Sequence, residues 1–301
     1  TAPGSLNYNE NDVASAVSAT GLNITDSDSP TLTQATVQIS ANYQNGQDVL
    51  ALTLPRAGIT SATFNAVTAT LTIVGTGTLA QWTDALRAVT YFNSSDTPNN
   101  SIRTVTFQVS DGANLSNTVT RNINVLAIKD APSLTSSSVT GFLDYTEGSG
   151  AVVLNPDGYL IADPDNTTLT SATISITGNY QNAEDRLNLA PLPAGITSAN
   201  FVFATGVLTI IGNGTLAQWQ TALAQVTYQN ISANPNTTAR TVSIRVNDGG
   251  ATNNLSNIVT HTINILPIND LPTGANEVIT TDEDVDYIFA ANDFTFNDTD
   301  G

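Results

Sequence analysis

Gly77-Thr78-Leu79-Ala80-Gln81-Trp82 returns letter for letter as Gly214-Thr215-Leu216-Ala217-Gln218-Trp219, 137 residues later. Self-similarity at a fixed period identifies a repeat architecture before any local reading does. The same offset relates Tyr8-Asn9-Glu10 to Tyr145-Thr146-Glu147 and Asp26-Ser27-Asp28 to Asp163-Pro164-Asp165. It also relates Asn42-Tyr43-Gln44-Asn45 to Asn179-Tyr180-Gln181-Asn182, and Asp111-Gly112 to Asp248-Gly249. Three residues are then gained near Gly250-Ala251-Thr252, so that Leu115-Ser116-Asn117 matches Leu255-Ser256-Asn257 and Asp130-Ala131-Pro132 matches Asp270-Leu271-Pro272 at an offset of 140. The period is the size of a domain rather than of a solenoid turn. The chain therefore reads as beads on a string: residues 1–132, residues 133–272, and a third unit opened at 273–301, where Glu283 precedes Asp298-Thr299-Asp300. The Asp-x-Pro segments punctuate it, because proline ends a strand and stiffens the junction.

Within a unit, Val105-Phe107-Val109 and Val242-Ile244-Val246 alternate with polar residues as half-buried strands do. Ile123-Val125, Ile263-Ile265, Leu71-Ile73 and Ala172-Ile174-Ile176 continue the pattern between Gly, Asn and Pro turns. One stretch breaks the period of two: Leu79, Trp82, Leu86 and Val89 are three, four and three apart, which predicts a helix of about three turns. Trp82 and Trp219 are expected to anchor it to the core. Many short strands and one small helix predict an all-β chain of tandem antiparallel β-sandwiches.

Composition excludes several functions. The 301 residues carry 26 acids against 8 bases, a net charge of −18, although only 11% of residues are charged. Such a surface repels nucleic acid and anionic lipid and prefers a cation. With no cysteine there is neither a disulfide framework nor a thiolate metal site. No apolar run approaches the roughly 20 residues that span a bilayer. Thr1 stands where an initiator Met would, with no basic n-region, which implies a processed chain or an excerpt. The charge is uneven: five bases and nine acids in the first unit, three and nine in the second, none and eight after Pro272.

The acids recur at fixed places, and their physical reading is calcium, a hard ion that takes six to eight oxygens. The competing reading is that Asp-Ser-Asp and Asp-Pro-Asp merely form Asx turns. An EF-hand is excluded, because the twelfth position, which needs Glu, holds Val37 counting from Asp26 and Ile174 counting from Asp163. Catalysis has little support. The single histidine, His261, aligns with Arg121 and reads as a strand residue, and there is no Gly-x-Ser-x-Gly elbow, phosphate-cradling loop or His pair.

Tyr-x-Glu, Asp-x-Asp, a late Val-Ser-Asp-Gly or Val-Asn-Asp-Gly and an Ile-Lys-Asp-Ala-Pro or Ile-Asn-Asp-Leu-Pro linker follow one another twice. In that order they resemble the cadherin-like tandem domains of very large bacterial surface adhesins. The resemblance implies cadherin-like or Ig-like sandwiches with Ca2+ at each junction. Carried over by position, it implies Glu10, Asp130, Asp163, Asp165 and Asp248 as ligands at the first junction, and Glu147, Asn269, Asp270, Asp298 and Asp300 at the second. Two departures weigh on this: Lys129 stands where the second linker has Asn269, and the cadherin Asp-Arg-Glu motif is replaced by Gln81-Trp82-Thr83 and Gln218-Trp219-Gln220. Asp48 and Asp185 are candidate substitute ligands. Asp26, Asp28 and Asp111 are expected to face a preceding domain.

The resulting expectation is a non-enzymatic, calcium-stiffened extender of a secreted adhesin or extracellular filament. Its partners would be neighbouring repeats of the same or adjacent chains and a host or environmental surface. Two alternatives stand beside it: a module that grips glycans or a surface through loops, with calcium incidental, and a self-assembling filament subunit whose acidic third segment docks on a neighbour.

Overall fold

The computed structural model describes residues 4–18, 20–138 and 141–298. Two compact units result, Thr1–Lys129 and Asp130–Gly301. The first unit runs β1 (Leu6–Asn9), β2 (Ser15–Ala16), β3 (Thr31–Ala41), β4 (Asp48–Ala51), β5 (Ser61–Asn65), β6 (Thr70–Thr78), α1 (Leu79–Arg87), β7 (Thr90–Asn93), β8 (Arg103–Ser110) and β9 (Val119–Leu126). A six-stranded sheet in the order β1-β9-β8-β3-β6-β5 packs with a three-stranded sheet in the order β2-β7-β4. Their inner faces share one core, in which Val37, Ile73, Val105 and Ile123 of the large sheet meet Leu50 and Tyr91 of the small one. Burial alternates along the strands, so the period of two in the sequence is the inside and outside of a sandwich.

The second unit repeats this plan after one additional strand. It runs β10 (Ser133–Ser136), β11 (Phe142–Thr146), β12 (Val152–Val153), β13 (Tyr159–Ala162), β14 (Thr168–Gly178), β15 (Asp185–Asn188), β16 (Ile196–Val202), β17 (Val207–Thr215), α2 (Leu216–Leu223), β18 (Thr227–Asn230), β19 (Arg240–Asn247) and β20 (Val259–Leu266). Its sheets are β11-β20-β19-β14-β17-β16 and β12-β18-β15, and β10 pairs with β13. Beyond them, β21 (Thr273–Ala275) pairs with β22 (Thr295–Asn297).

Both helices sit where the break in period places them. Each opens on a threonine whose hydroxyl accepts the third amide while a glutamine side chain returns to the threonine amide: Thr78 with Gln81, and Thr215 with Gln218. Trp82 is fully buried and its indole donates to the Leu32 carbonyl at 3.0 Å; Trp219 does the same to Leu169 at 2.9 Å. The tryptophans thus fasten each helix to the first residues of β3 and β14.

The pairs of each large sheet are antiparallel except one. β1 runs parallel to β9, with Leu6 opposite Ile123, and β11 runs parallel to β20, with Leu143 opposite Ile263. Because its first and last strands point the same way, the chain enters a unit at one end of the large sheet and leaves at the other.

Asp48 and Asp185 are also not free to bind an ion. Both are buried, and Asp48 meets the Arg103 guanidinium at 3.1 Å with neither side chain exposed. The Tyr91 hydroxyl and Asn93 amide donate to its Oδ1 at 2.5 and 2.6 Å, and the Gln44 amide donates to Oδ2 at 2.8 Å. Arg103 completes its donors on the Asn99 and Ser101 carbonyls. Asp185 repeats the arrangement with Arg240 at 3.0 Å, Tyr228 at 2.5 Å, Asn230 at 3.1 Å and the Gln181 amide at 2.8 Å. Burial, with the neighbouring carboxylate, pushes the Tyr91 and Tyr228 hydroxyls far above their ordinary range. Removing one partner of such a pair strands a buried charge at about 3–5 kcal/mol. Arg103→Met is therefore expected to lower the unfolding free energy in urea by that amount, with no change in far-ultraviolet strand signal of whatever protein remains folded.

Candidate metal centre

Strand register decides where the recurring acids lie. Asp111 follows the end of β8, Asp26 and Asp28 precede β3, and β3 pairs antiparallel with β8, Gln34 opposite Ser110. All three carboxylates therefore gather at the end where the chain enters the first unit. They line one open hollow of about 340 Å³ with Thr25, Ser27, Asn114 and Asn117, a lining without any basic side chain. The loop is an Asx turn, since Asp26 Oδ1 accepts the amides of Asp28 and Ser29 at 3.2 and 3.0 Å. Ser29 Oγ then donates to Asp111 at 3.1 Å, which joins the turn to the far acid.

These hydrogen bonds set the charges apart. The amides of Asp28 and Ser29 hold the Asp26 carboxyl below its ordinary pKa. The amides of Asn114 and Ala113 do so for Asp111. Asp28 moves the other way, raised chiefly by its interaction with the Asp26 carboxyl and by the charge on it.

In the second unit Asp163 Oδ1 accepts the amides of Asp165 and Asn166 at 3.0 and 2.9 Å. The Asn166 side-chain amide reaches both Asp163 Oδ2, at 3.3 Å, and Asp248 Oδ2, at 2.7 Å. Asp165 Oδ2 accepts the main-chain amide of Asp130 at 2.6 Å. Asp163 is thus linked to Asp248 through Asn166, and Asp165 to the main chain of Asp130. Glu10 belongs to the first unit. Ser29 and Asn166 were not singled out from the sequence, although their position directly after each Asp-x-Asp at the 137-residue offset is the signal that could have found them.

The glutamates mark the opposite end. Glu10 is buried, its amide donates to the Leu126 carbonyl at 2.9 Å, and its Oε2 accepts the Ile128 amide at 2.8 Å. Glu147 holds Leu266 and Ile268 in the same way, at 2.9 and 3.0 Å. Glu147 and Asp270 line one hollow. Asn269 donates to the Asp270 carbonyl at 2.7 Å. Pairing of Thr273 with Asn297 carries Asp298 to the linker end, just as pairing of Ser133 with Ala162 carries Asp163 to Asp130. Asp300 lies outside the described residues.

These donors are all hard oxygens, which suits a calcium-type ion. Among the described residues, no group of three or more Asp, Glu, His or Cys is placed to hold one ion by itself. Much of each carboxylate's accepting capacity is taken by amides, so a full shell needs main-chain carbonyls or water as well. His261 is no ligand: it is buried on β20 with its Nε2 3.1 Å from the Tyr159 hydroxyl, and burial lowers its pKa.

No family model matches the chain. Halomucin from Haloquadratum walsbyi is 26% identical over 297 residues, covering 66% of this chain and 3% of that protein. The chain thus spans about 3% of the length of that relative. Among solved structures, the human desmocollin-1 ectodomain is similar with a TM-score of 0.24 and 12% identity, covering 100% of this chain and 46% of that one. Domains 4-9 of the surface layer protein SbsC give 0.19 and 12%, covering 92% and 33%. The S. aureus collagen adhesin gives 0.20 and 8%, covering 79% and 82%.

The opposite shifts of Asp26 and Asp28 are open to direct test. In a carbon-detected NMR titration the Asp28 carboxyl is expected to titrate above 3.8 and Asp26 below it. In Asp26→Asn, the Asp28 midpoint is expected to fall.

Proposed function

We propose that this chain is a calcium-binding, load-bearing segment of an extracellular surface protein, an adhesin or filament, in which tandem sandwiches act as spacers rather than as catalysts. The observation that carries this reading is the convergence of the same acids at the entry end of both units, Asp26, Asp28 and Asp111 in one and Asp163, Asp165 and Asp248 in the other. Like charges are gathered there at a fixed place in the repeat, and a cation relieves their repulsion. In the second unit Asp130, Asp163, Asp165 and Asp248 would hold the ion, with Glu10 of the first unit assigned to the same set by the resemblance. At the exit end Glu147, Asn269, Asp270, Asp298 and Asp300 form the corresponding set. Ion binding would tie each linker to the sandwich beside it.

A mechanical role also agrees with the topology. A unit entered at one end and left at the other transmits tension along its strands, and no helix among the described residues is long and apolar enough to cross a membrane. Residues 273–301 belong to this reading as the opening of a third unit. The β21 and β22 register matches that of β10 and β13, and Phe289, Phe294 and Phe296 stand where Leu154, Tyr159 and Ile161 are buried. The three phenylalanines are exposed.

Extracellular calcium sites bind at about 10⁻⁴ to 10⁻³ M. At roughly 10 mM calcium, one such site stabilises the folded state by about 1.4–2.7 kcal/mol. Calorimetry is expected to show a higher melting temperature in calcium than in chelator, and the double change Asp163→Asn and Asp165→Asn should remove the part belonging to the second unit. Identical melting curves with calcium and with chelator would refute the calcium reading.

A further inference from the structure

Both units carry the same aromatic pair beside the same hairpin, and the second unit adds two side chains to it. In the first, Tyr43 and Phe64 lie edge to face with ring centroids 6.4 Å apart, and the Tyr43 hydroxyl donates to the Ala66 carbonyl at 2.8 Å. Tyr180 and Phe201 repeat this at 6.4 Å, with the Tyr180 hydroxyl on the Phe203 carbonyl at 2.6 Å. The shared part fastens the β5–β6 and β16–β17 turns. At the 137-residue offset, however, Phe203 stands in place of Ala66 and Arg186 in place of Val49. Phe203 is 55% exposed, and the first unit closes the same turn with alanine, so folding does not call for the ring.

The added residues form one patch. The Phe201 and Phe203 rings meet edge to face at 5.3 Å, and the Arg186 guanidinium lies over Phe203, 4.7 Å from its centroid. Its charge also reaches the Tyr180 hydroxyl, whose pKa is raised by burial and opposed by Arg186. Carbonyls fix the guanidinium in place: Nη1 donates to Asn182 at 3.0 Å and to Asp185 at 2.7 Å, and Nη2 donates to Ala183 at 3.2 Å. These bonds leave Nε–H and one Nη2–H without an acceptor among the described residues. Arg186 meets no carboxylate there either. The other arginines of the second unit are committed, Arg240 to Asp185 and Glu184, and Arg245 to the Ser256 carbonyl.

We propose that Arg186, Phe203, Phe201 and Tyr180 form a binding subsite for an acidic sugar, a uronate-type ring of a polysaccharide. The carboxylate takes the remaining Nε–H and Nη2–H of Arg186 side-on, the two-pronged geometry that a guanidinium offers to a carboxylate. The C–H face of the sugar rests on Phe203, and the exposed side chain of Asn182 stands beside them for its hydroxyls. Because carbonyls and the Phe203 ring already hold the guanidinium, binding orders little that was free. Arginine among aromatic rings is also the composition of binding hot spots. A chain of net charge −18 repels polyanions over most of its surface, so a guanidinium without an acidic partner beside exposed aromatic surface marks where one can land.

The probe is an oligogalacturonate added to the full chain in chelator, so that no divalent cation bridges the two, with binding read by calorimetry and located by side-chain NMR. Saturable binding is expected, with shifts at Phe203 and the Arg186 Nε–H and none at Tyr43 or Phe64. A neutral malto-oligosaccharide of the same length is expected not to bind. Phe203→Ala and Arg186→Val put in the residues of the first unit, which folds with them, and each is expected to weaken binding by roughly tenfold. The proposal is overturned if oligogalacturonate shows no saturable binding or if neither substitution diminishes it. It is also overturned if polyglutamate binds the same patch as tightly, for then the carboxylate alone is read and the partner is an acidic peptide.

Discussion

A buried aspartate–arginine pair joins the two sheets of each unit, and the remaining architecture is arranged around it. Asp48 stands on β4 of the small sheet and Arg103 on β8 of the large one, with Tyr91 and Asn93 of β7 closing on the same carboxylate. In a protein without cysteine this cross-link occupies the role that an inter-sheet disulfide serves elsewhere. Its physics differs, however. A buried pair adds little net stability over apolar packing of equal volume, yet removing either member leaves a desolvated charge behind. The pair thus penalises any arrangement in which the sheets slide, and it recurs residue for residue as Asp185 with Arg240.

A second constraint follows from the parallel pairing of first and last strands. Once β1 lies beside β9 in the same direction, the turn before β3 and the turn after β8 must fall at the entry end, and the residue after β1 must fall at the exit. The acids of Asp-x-Asp and Asp-Gly therefore converge at one end, while Glu10 holds the departing linker at the other. Their separation in sequence, from Asp26 to Asp111, says nothing of this proximity. It is a product of register.

The repeat also explains where the acidic imbalance is steepest. The last 29 residues have eight acids and no base. They display aromatic side chains whose counterparts in the second unit are interior.

The amino-acid sequence by itself determined the all-β class, the strand alternation, the helix at Leu79–Arg87 and the tryptophan anchors, because each rests on local periodicity that burial enforces directly. It also located the recurring acids. What it left open was the assignment of Asp48 and Asp185, which look like any loop acid until Arg103 and Arg240 arrive from 55 residues away. It likewise left open the parallel direction of β1 and β11, since alternation is the same in parallel and antiparallel strands. In each case tertiary structure decided, because a long-range contact fixes the partner of a polar group, and no local pattern encodes which partner that will be.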